Sequence, residues 1–501
     1  MATETELKLR LDPLELPRLR RNALLRKLTV GRPIRQQVYS VYFDTPDLAL
    51  RGLEMALRLR RVGRRWLQTL KGGGAVQAGL HSREEWESPL AGEQLDLAAL
   101  QFSPLGKRLP PEIFGKITPV FVTEFTRTVR LLQVNGTEIE CALDVGEVRA
   151  GQAVWPICEL ELELKSGSVG SLFEVALQLM ETLPLTLENI SKAEHGYELF
   201  APVPRMPVKA SAPQLSADMA VADALKLMLQ SCLSHWQANM PGLMQGDNPE
   251  FLHQVRVALR RLRVVLSIAD QWKRDRDLSD LRAAFRTLSK ALGAARDWDV
   301  LVGEWLPKLI AQYPVQANET QMLLEHAEKR RKKAFVDASA LLLSAETHRL
   351  LLKLGAWINR CADRDDEHEP IRAFGRKVLK MHYRRLNEAG ACLPDGQDVE
   401  LHSLRIECKK MRYSIELMSK MTNQKAALRT VGALEALQGA LGDYNDLIRA
   451  QGLLAELGRG KQAAACRTVR TLLAALEEES KANLPSLWRQ WRTEKPIWQT
   501  L

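Results

Sequence analysis

The sequence predicts an α+β protein in which a β-rich N-terminal half is followed by an all-α C-terminal half. Three observations lead to this prediction. Short segments that alternate apolar and polar residues dominate before residue 200, and long stretches of 3.6-residue periodicity dominate after residue 213. A proline-rich stretch, APVPRMPVKASAP at 201–213, separates the two. A chain of 501 residues also exceeds one ordinary core, so we expect at least two domains.

Composition narrows the class of protein. The hydrophobic content of 46% and charged content of 26% are typical of a soluble globular chain. No apolar run approaches the roughly 20 residues of a membrane span, and the acidic start at Glu4 is unlike a signal peptide, so we expect no membrane partner. Seven scattered cysteines without CxxC spacing predict reduced thiols and a cytoplasmic location.

Charge is distributed unevenly along the chain. Residues 1–205 hold 26 basic and 26 acidic residues, so the whole net charge of +10 lies after residue 205. This imbalance favours a polyanionic partner for the second half. A solvated basic surface without a partner is the alternative.

The predicted strands of the N-terminal half carry an ionised face and an aliphatic face. ETELKLR, starting at Glu4, LRLRR, starting at Leu57, and ELELELK, starting at Glu159, all alternate in this way. A single strand of this kind usually faces water. Several together predict a closed antiparallel barrel with a charged lumen. Clustered carboxylates require a hard cation, and clustered Arg and Lys match phosphate oxygens, so the pattern indicates a metal–phosphate ligand.

These residues also carry a resemblance to a known family. ETELK matches the ExExK signature of the CYTH, or triphosphate tunnel metalloenzyme, superfamily, and YFDTPD, LRLRR, LKGGG, HSREEWE, FTRTVR, LDVGEVRAG, CELELELKSG and SKAEHGY follow in the family's order. The resemblance covers residues 1–200. It implies an eight-stranded tunnel that hydrolyses inorganic tripolyphosphate to pyrophosphate and phosphate with Mg²⁺ or Mn²⁺.

The resemblance also implies roles for individual residues. Expected metal ligands are Glu4, Glu6, Glu161, Glu163 and Glu159. Expected phosphate-binding residues are Lys8, Arg58, Arg60, Lys71, Arg127 and Lys192. Lys8, Glu85 and Asp144 are assigned to catalysis, the two acids by positioning metal or water. His81 is expected to be a loop residue rather than a catalytic base.

The C-terminal half contains an internal repeat. HQVRVALRRLR from His253 and HSLRIECKKMR from His402 are 149 residues apart, and the same offset joins Asp297 to Asp446. In each copy a 3-4-3-4 apolar stripe predicts a buried helix face. One residue on from each stripe lie a histidine and three cations, which suits a linear polyanion better than a solvated face.

This half resembles the CHAD domain, a helical module that implies binding of inorganic polyphosphate. The residues assigned to that groove are His253, Arg256, Arg260, Arg263, His402, Arg405, Lys409 and Arg412. Asp297 and Asp446 are expected to be structural. No helix-turn-helix, zinc-finger or RNP motif accompanies the charge, so nucleic acid is disfavoured.

The sequence thus predicts a CYTH domain at 1–203, a linker at 204–216 and a CHAD domain at 217–490. The predicted function is hydrolysis of tripolyphosphate beside a polyphosphate-binding domain. Two alternatives stay open: a hydrolase or cyclase acting on a nucleoside or thiamine triphosphate, and a non-catalytic polyphosphate-binding scaffold.

Overall fold

The chain divides into two compact units. The computed structural model describes residues 2–246, 248–362, 369–393, 395–458 and 463–500. The barrel unit comprises Met1–Arg205 and Leu343–Arg360, and the helical unit comprises Met206–Leu342 and Cys361–Leu501. Segment 343–360 therefore belongs to the unit that is built mainly from the N-terminal half.

Eight antiparallel strands form the barrel, which confirms the predicted architecture. Strands β1 to β8 are Ala2–Arg10, Thr29–Asp44, Ala56–Val62, Arg65–Gln77, Leu80–Leu90, Thr118–Val134, Thr137–Ala150 and Ala153–Ser166. Their spatial order is β5-β4-β3-β2-β6-β7-β8-β1, and pairing of β1 with β5 closes the sheet. A two-residue strand β9, Thr186–Leu187, pairs with the end of β1.

The helices α1 to α6 belong to the N-terminal half, and the others follow the proline-rich stretch. Helices α1 to α6 are Leu16–Arg20, Ala23–Leu28, Ala49–Gly52, Leu97–Phe102, Val169–Leu179 and Lys192–Phe200. Helices α7 to α17 are Val221–Gln245, Pro249–Trp272, Arg276–Ala291, Gly293–Val300, Leu306–Gln312, Ala317–Leu342, Ala345–Ala362, Ile371–Gly390, Asp398–Met418, Gln424–Leu457 and Ala463–Arg492. No helix among the described residues combines the length and apolar character that crossing a bilayer requires.

The alternation of each strand sets which side chains face the lumen. Leu7, Leu9 and Leu162 are fully buried under the outer layer, where α5 packs on β1 and β8. The intervening residues Lys8 and Glu161 are opposite each other in the β1–β8 register and ion-pair inside the barrel. Because the side-chain period of a strand is two, one pattern supplies both the apolar shell and the charged interior.

Helix α13 is part of the barrel unit although it lies far along the chain. The backbone N–H of Leu187 in β9 donates to Nδ1 of His348 at 3.0 Å. At Gly355 an added Cβ would lie 2.7 Å from the ring of Phe173 in α5, so glycine allows this close approach.

In the helical unit the repeated helices α8 and α15 pack against each other. The residues of both predicted stripes are buried, and these are Leu252, Val255, Leu259, Leu262, Leu266, Leu401, Leu404, Cys408, Met411 and Ile415. The cations one residue further on therefore lie beside this shared core, at the edge of the α8–α15 contact.

The proline-rich stretch is held on α7 and α8 by hydrogen bonds. Asn239 exchanges hydrogen bonds with the backbone of Val208, and Arg261 and Ser231 both donate to the carbonyl of Ser211. Arg261 is only 1% exposed, so this contact satisfies part of a buried guanidinium.

Candidate metal–phosphate tunnel and basic cluster

The barrel encloses a cavity lined by acids and bases. Six of the lining residues are the cations expected to bind phosphate: Lys8, Arg58, Arg60, Lys71, Arg127 and Lys192. The lining carboxylates are Glu4, Glu6 and Glu161. The free volume is about 60 Å³ because ion pairs between these side chains fill most of the lumen. Such a volume holds water between the paired side chains.

Three carboxylates meet at one side of the lumen. Asp144 in β7 is opposite Glu159 in the β7–β8 register, and Glu161 is two residues along the same strand. One ligand oxygen of each lies within 4.8 Å of the others, and all three residues are buried. We call Asp144, Glu159 and Glu161 the acidic trio. An all-oxygen donor set of this size fits a hard divalent cation such as Mg²⁺ or Mn²⁺.

Basic side chains enclose the acidic trio. Arg127 donates from Nε and Nη2 to the two carboxylate oxygens of Asp144 at 2.8 and 2.7 Å, and Nη2 also reaches Glu161 at 2.5 Å. Lys8 Nζ donates to Glu161 Oε1 at 2.5 Å. Lys192, the first residue of α6, contacts all three acids.

A second group of acids lies nearer β4 and β5. Glu4 pairs with Lys71. Glu85 lies 3.4 Å from Nη2 of Arg58 and 3.6 Å from Nζ of Lys71. Glu6 lies between the two groups, because the Nζ of Lys8 pairs with it at 2.9 Å and with Glu161 at 2.5 Å. The acidic trio and Glu4 therefore mark two places in the lumen, and the catalytic candidate Asp144 lies in the first of them.

Glu163 lies nearer the edge of the lumen, opposite Glu6 in the β1–β8 register. It pairs with Lys165 at 2.6 Å, and its side chain is 24% exposed. Burial raises the pKa of its carboxyl despite the nearby Lys165 ammonium. Alternation alone gave Glu159, Glu161 and Glu163 the same face, and the structure separates them by depth.

Mutual electrostatics keep most of the tunnel charged. Burial acts to raise the pKa of Glu4, but Lys71 and Lys8 overcome it and lower the pKa to about 2. Burial likewise opposes ionisation of Glu161, yet Lys192, Lys8 and Arg127 hold its pKa well below the usual value. Glu159 differs, since burial, aided by the charge of Glu161, raises its pKa. A cation added near Glu159 would favour its ionised form.

The basic residues of the helical unit converge where the two repeat copies meet. Lys409 in α15 interacts electrostatically with Arg256 and Arg260 in α8. It also interacts with Arg405, which lies one turn earlier in α15. We call these four residues the basic cluster. Arg405 lies 3.5 Å from Asp446, and Arg256 donates to the carbonyl of Leu292.

Two members of the basic cluster form no direct ion pair with any residue that the structure describes. Among the described residues, Arg260 and Lys409 form neither an ion pair nor a hydrogen bond, and Arg260 Nε is buried without an acceptor. Burial, followed by the charges of Arg405 and Arg260, lowers the pKa of Lys409 to about 6. Burial and the charge of Arg260 also lower the pKa of Arg256 to about 10. Basic groups held together without direct ion pairs favour an anionic ligand, because its charge would stabilise the protonated form of Lys409.

The other residues of the repeated motif lie outside the basic cluster and differ in their surroundings. His253 lines a cleft of about 410 Å³ together with Arg296, and burial with the Arg296 charge lowers its pKa to about 4. His402 is exposed and contacts Asn445 at 3.1 Å. Arg263 donates to Ser289 at 3.1 Å.

The last cation of the second copy also has other partners. Arg412 pairs with Glu435 at 2.9 Å and with Glu416 at 3.5 Å. Its guanidinium also lies over the ring of Tyr413. Arg412 is therefore neutralised, unlike Lys409 one turn earlier.

Comparison with known families accounts for both halves of the chain. The sequence model of the CYTH domain matches residues 2–197, and that of the CHAD domain matches residues 227–455. The chain carries a CYTH domain followed by a CHAD domain. This confirms both resemblances, and it places the N-terminal half in the triphosphate tunnel metalloenzyme superfamily.

Individual relatives match different parts of this CYTH–CHAD chain. The inorganic triphosphatase of Haemophilus influenzae is 36% identical over 207 residues, which cover 40% of this chain and 55% of that protein, so the match spans about half the length of that relative. An uncharacterised protein of Mycobacterium tuberculosis is 24% identical over 457 residues, 82% of this chain and 80% of that protein. The crystal structure of the CHAD domain from Ricinus communis superposes with a TM-score of 0.54 and 31% identity, covering 58% of this chain and 99% of that domain.

The CYTH lumen contains residues that the sequence analysis did not assign. Tyr42, Arg83 and Ser191 line the cavity. Tyr42 is opposite Arg58 in the β2–β3 register. Burial acts to raise the pKa of its phenol, but Arg58 and Arg60 lower it. The alternation in YSVYFD was a usable signal, although the pairing register was needed to place Tyr42 beside the arginines.

The expectation that His81 is a loop residue was wrong. It lies in β5, is 1% exposed and lines the CYTH cavity, with Nε2 2.9 Å from the carbonyl oxygen of Glu188. Burial and the charge of Lys8 lower its pKa to about 3, so the imidazole is neutral near pH 7. The glycine-rich segment before His81 suggested a loop. Instead, β4 continues through Gly72–Gly74, where a bulge shifts the β4–β5 register.

Proposed function

We propose that the CYTH domain hydrolyses inorganic tripolyphosphate to pyrophosphate and phosphate with Mg²⁺ or Mn²⁺. The observation that carries this proposal is the closed lumen in which six cations and the acidic trio meet. The name of the Haemophilus relative, an inorganic triphosphatase that is 36% identical over the matched region, supports the same activity.

The proposed roles follow from the two acidic places in the lumen. The acidic trio, with Glu4 and Glu6, provides the carboxylate oxygens for metal, and Glu163 is the most peripheral candidate because it pairs with Lys165. A bound divalent cation would screen phosphate charge and lower the pKa of water. Glu85, between Arg58 and Lys71, is the proposed positioning group for that water.

The cations of the lumen would bind the substrate and stabilise the transition state. Phosphoryl transfer spreads negative charge over the oxygens of the reacting group, and fixed Arg and Lys donors stabilise that charge at little reorganisation cost. Lys8 and Arg127 are anchored by Glu161 and Asp144, so their donors are already oriented before substrate binds. Arg60 has no ion-pair partner among the described residues, so its guanidinium donors are available to bind phosphate oxygens directly.

The test of this activity is phosphate release from tripolyphosphate, ATP and thiamine triphosphate with Mg²⁺ or Mn²⁺. We expect the wild-type chain to prefer tripolyphosphate and Asp144→Asn to lose at least about hundredfold in kcat/KM. Glu93→Gln, in an exposed loop, is the matched control and should behave as wild type. A clear preference for ATP or thiamine triphosphate would overturn the substrate, and an active Asp144→Asn would overturn the site.

We further propose that the CHAD domain binds inorganic polyphosphate through the basic cluster. The observation that carries it is the pair of half-buried basic side chains, Arg260 and Lys409, which form no direct ion pair with the described residues. A chain of phosphates supplies closely spaced negative charges to both repeat copies, whereas a single small anion would neutralise only part of the cluster. His253, Arg263, His402 and Arg412 are proposed as outer contacts.

The test uses the full chain and long-chain polyphosphate in EDTA, which prevents turnover. We expect Arg260→Ala with Lys409→Ala to weaken binding at least about tenfold. The matched control, Lys332→Ala with Lys333→Ala, removes two exposed cations and should change binding little. Equal losses in both double variants would contradict the assignment. The seven free cysteines support the accompanying proposal of a reducing, cytoplasmic location.

A further inference from the structure

The ammonium group of Lys192 occupies the centre of the acidic trio. Its Nζ lies 2.8 Å from Asp144 Oδ2 and 2.9 Å from Glu161 Oε1, and it also contacts Glu159 Oε1. The residue is 7% exposed and begins α6, where the Ser191 hydroxyl caps the helix by accepting from the N–H of Glu194. The backbone at Lys192 is therefore fixed, while its side chain retains rotatable bonds.

Among the described residues, Lys192 alone forms ion pairs with all three members of the acidic trio. Arg127 holds Asp144 and Glu161 from one side, and Lys8 holds Glu161 and Glu6 from another. In the described part of the chain, neither of them lies within ion-pair distance of Glu159, whereas Lys192 does. The oxygens that contact Lys192 Nζ belong to the same three carboxylates that would bind a divalent cation, so an ammonium and a metal ion compete for these acids.

The two occupants cannot be accommodated together at these contacts. An ammonium and a divalent cation that shared these oxygens would lie only about 3 Å apart, and two cations at that separation repel strongly in a buried site. Lys192 also lines the cavity that the substrate would enter. An ammonium displaced from the trio therefore remains beside the space for phosphate oxygens.

We propose that Lys192 is an internal competitor for the metal site, and that a divalent cation entering the acidic trio displaces its ammonium towards the phosphate chain. This inference rests on the proposed metal-dependent function of the tunnel. It gives Lys192 two successive sets of partners, the trio without metal and phosphate oxygens with it. Metal and triphosphate then bind cooperatively. The metal releases the Lys192 ammonium to bind phosphate, and the phosphate oxygens stabilise the ammonium once it has left the trio.

The experiment measures Mn²⁺ binding to the full-length protein without substrate, by the electron paramagnetic resonance signal of free Mn²⁺. Lys192→Met removes the competing ammonium and should lower the Kd for Mn²⁺ at least about tenfold. Arg60→Met is the matched control, since it removes one positive charge that acts on Glu161 from within the same lumen but forms no ion pair with the trio among the described residues. It should lower the Kd much less. Lys192→Gln, which keeps a polar side chain, serves as a second variant if Lys192→Met fails to fold.

A second measurement adds a non-hydrolysable imidotriphosphate. It should tighten Mn²⁺ binding more in the wild type than in Lys192→Met, because only the wild type gains by taking up the displaced ammonium. Equal Kd shifts in Lys192→Met and Arg60→Met would overturn the competition and leave the proposed metal function intact. An absence of Mn²⁺ binding in every protein would instead overturn the proposed metal site itself.

Discussion

Nδ1 of His348 accepts a hydrogen bond of 3.0 Å from the backbone N–H of Leu187, which joins α13 to the edge strand β9. The same edge continues into the lumen, since the N–H of Glu188 donates to the carbonyl of Lys8 at 3.0 Å and His81 contacts the Glu188 carbonyl. A helix encoded about 160 residues later thus completes the hydrogen bonding of a strand beside the tunnel.

Replacing His348 should loosen this edge of the barrel. His348→Ala leaves the Leu187 N–H unpaired at a half-buried position, at a cost of about 1–3 kcal/mol. His348→Asn is the control, because its amide oxygen can take the place of Nδ1 as acceptor. Hydrogen exchange of the Leu187 amide should accelerate strongly in His348→Ala and little in His348→Asn; unchanged exchange in both would contradict the role of this contact.

The same contact should fail at acidic pH. Burial lowers the pKa of His348 to about 4 from the ordinary 6.5, so the folded protein binds fewer protons here than the unfolded chain. The stabilisation is complete above pH 6.5 and declines as pH falls towards 4, by about 2 kcal/mol at pH 5. The difference in unfolding free energy between wild type and His348→Asn, followed from pH 7.5 to 5, measures it. A constant difference would show that His348 does not titrate in this range.

Gly355 is expected to be intolerant of any side chain. A Cβ there would lie 2.7 Å from the buried ring of Phe173 and 3.0 Å from Ala78. Gly355→Ala should therefore destabilise the barrel unit by about 1–3 kcal/mol, against the usual gain from replacing a helical glycine. Gly452→Ala in α16 is the matched control, because nothing lies within 4 Å of its added Cβ, and it should stabilise slightly. Thermal unfolding distinguishes them, and similar shifts for both would refute the steric argument.

The features that the sequence could predict are those with local signals. A two-residue period within each strand marked the ionised faces of β1, β3 and β8, and the 149-residue repeat marked α8 and α15. The acidic trio depends instead on pairing register, which places Asp144 opposite Glu159, and on the position of α6, which brings in Lys192. The amphipathic pattern of α13 indicates a buried face but not its partner, so its place in the barrel unit could not be read from the sequence.

Glu161 and Glu163 provide a test of depth within the tunnel. Alternation assigns both to one face, yet Glu161 belongs to the acidic trio and Glu163 pairs with Lys165. Glu161→Gln should lower kcat/KM for tripolyphosphate by about 10²–10³, and Glu163→Gln by much less. Steady-state kinetics over a Mn²⁺ titration measures both, with Glu93→Gln as control. Equal losses of kcat/KM in the two variants would mean that Glu163 contributes to metal binding as much as Glu161 does.

Polyphosphate binding should depend on pH through Lys409. The groups that face it are Arg405 on its own helix, Arg256 and Arg260 on α8, and Asp446 on α16. Burial and the three arginines lower its pKa to about 6 against the ordinary 10.5, so the amine is largely neutral at pH 7.5 without ligand. A phosphate chain restores a higher pKa, and binding therefore takes up a proton between these two values.

Calorimetric titration with long-chain polyphosphate, in buffers of different ionisation enthalpy at pH 7.5, counts these protons. The wild type should take up about one proton per occupied cluster more than Lys409→Arg, because arginine stays charged. Its affinity should rise as pH falls from 9 to 6, by up to about tenfold per unit, and level off below. Lys409→Arg should bind with a weaker pH dependence. Equal proton uptake by both proteins would show that Lys409 is already charged in the ligand-free domain.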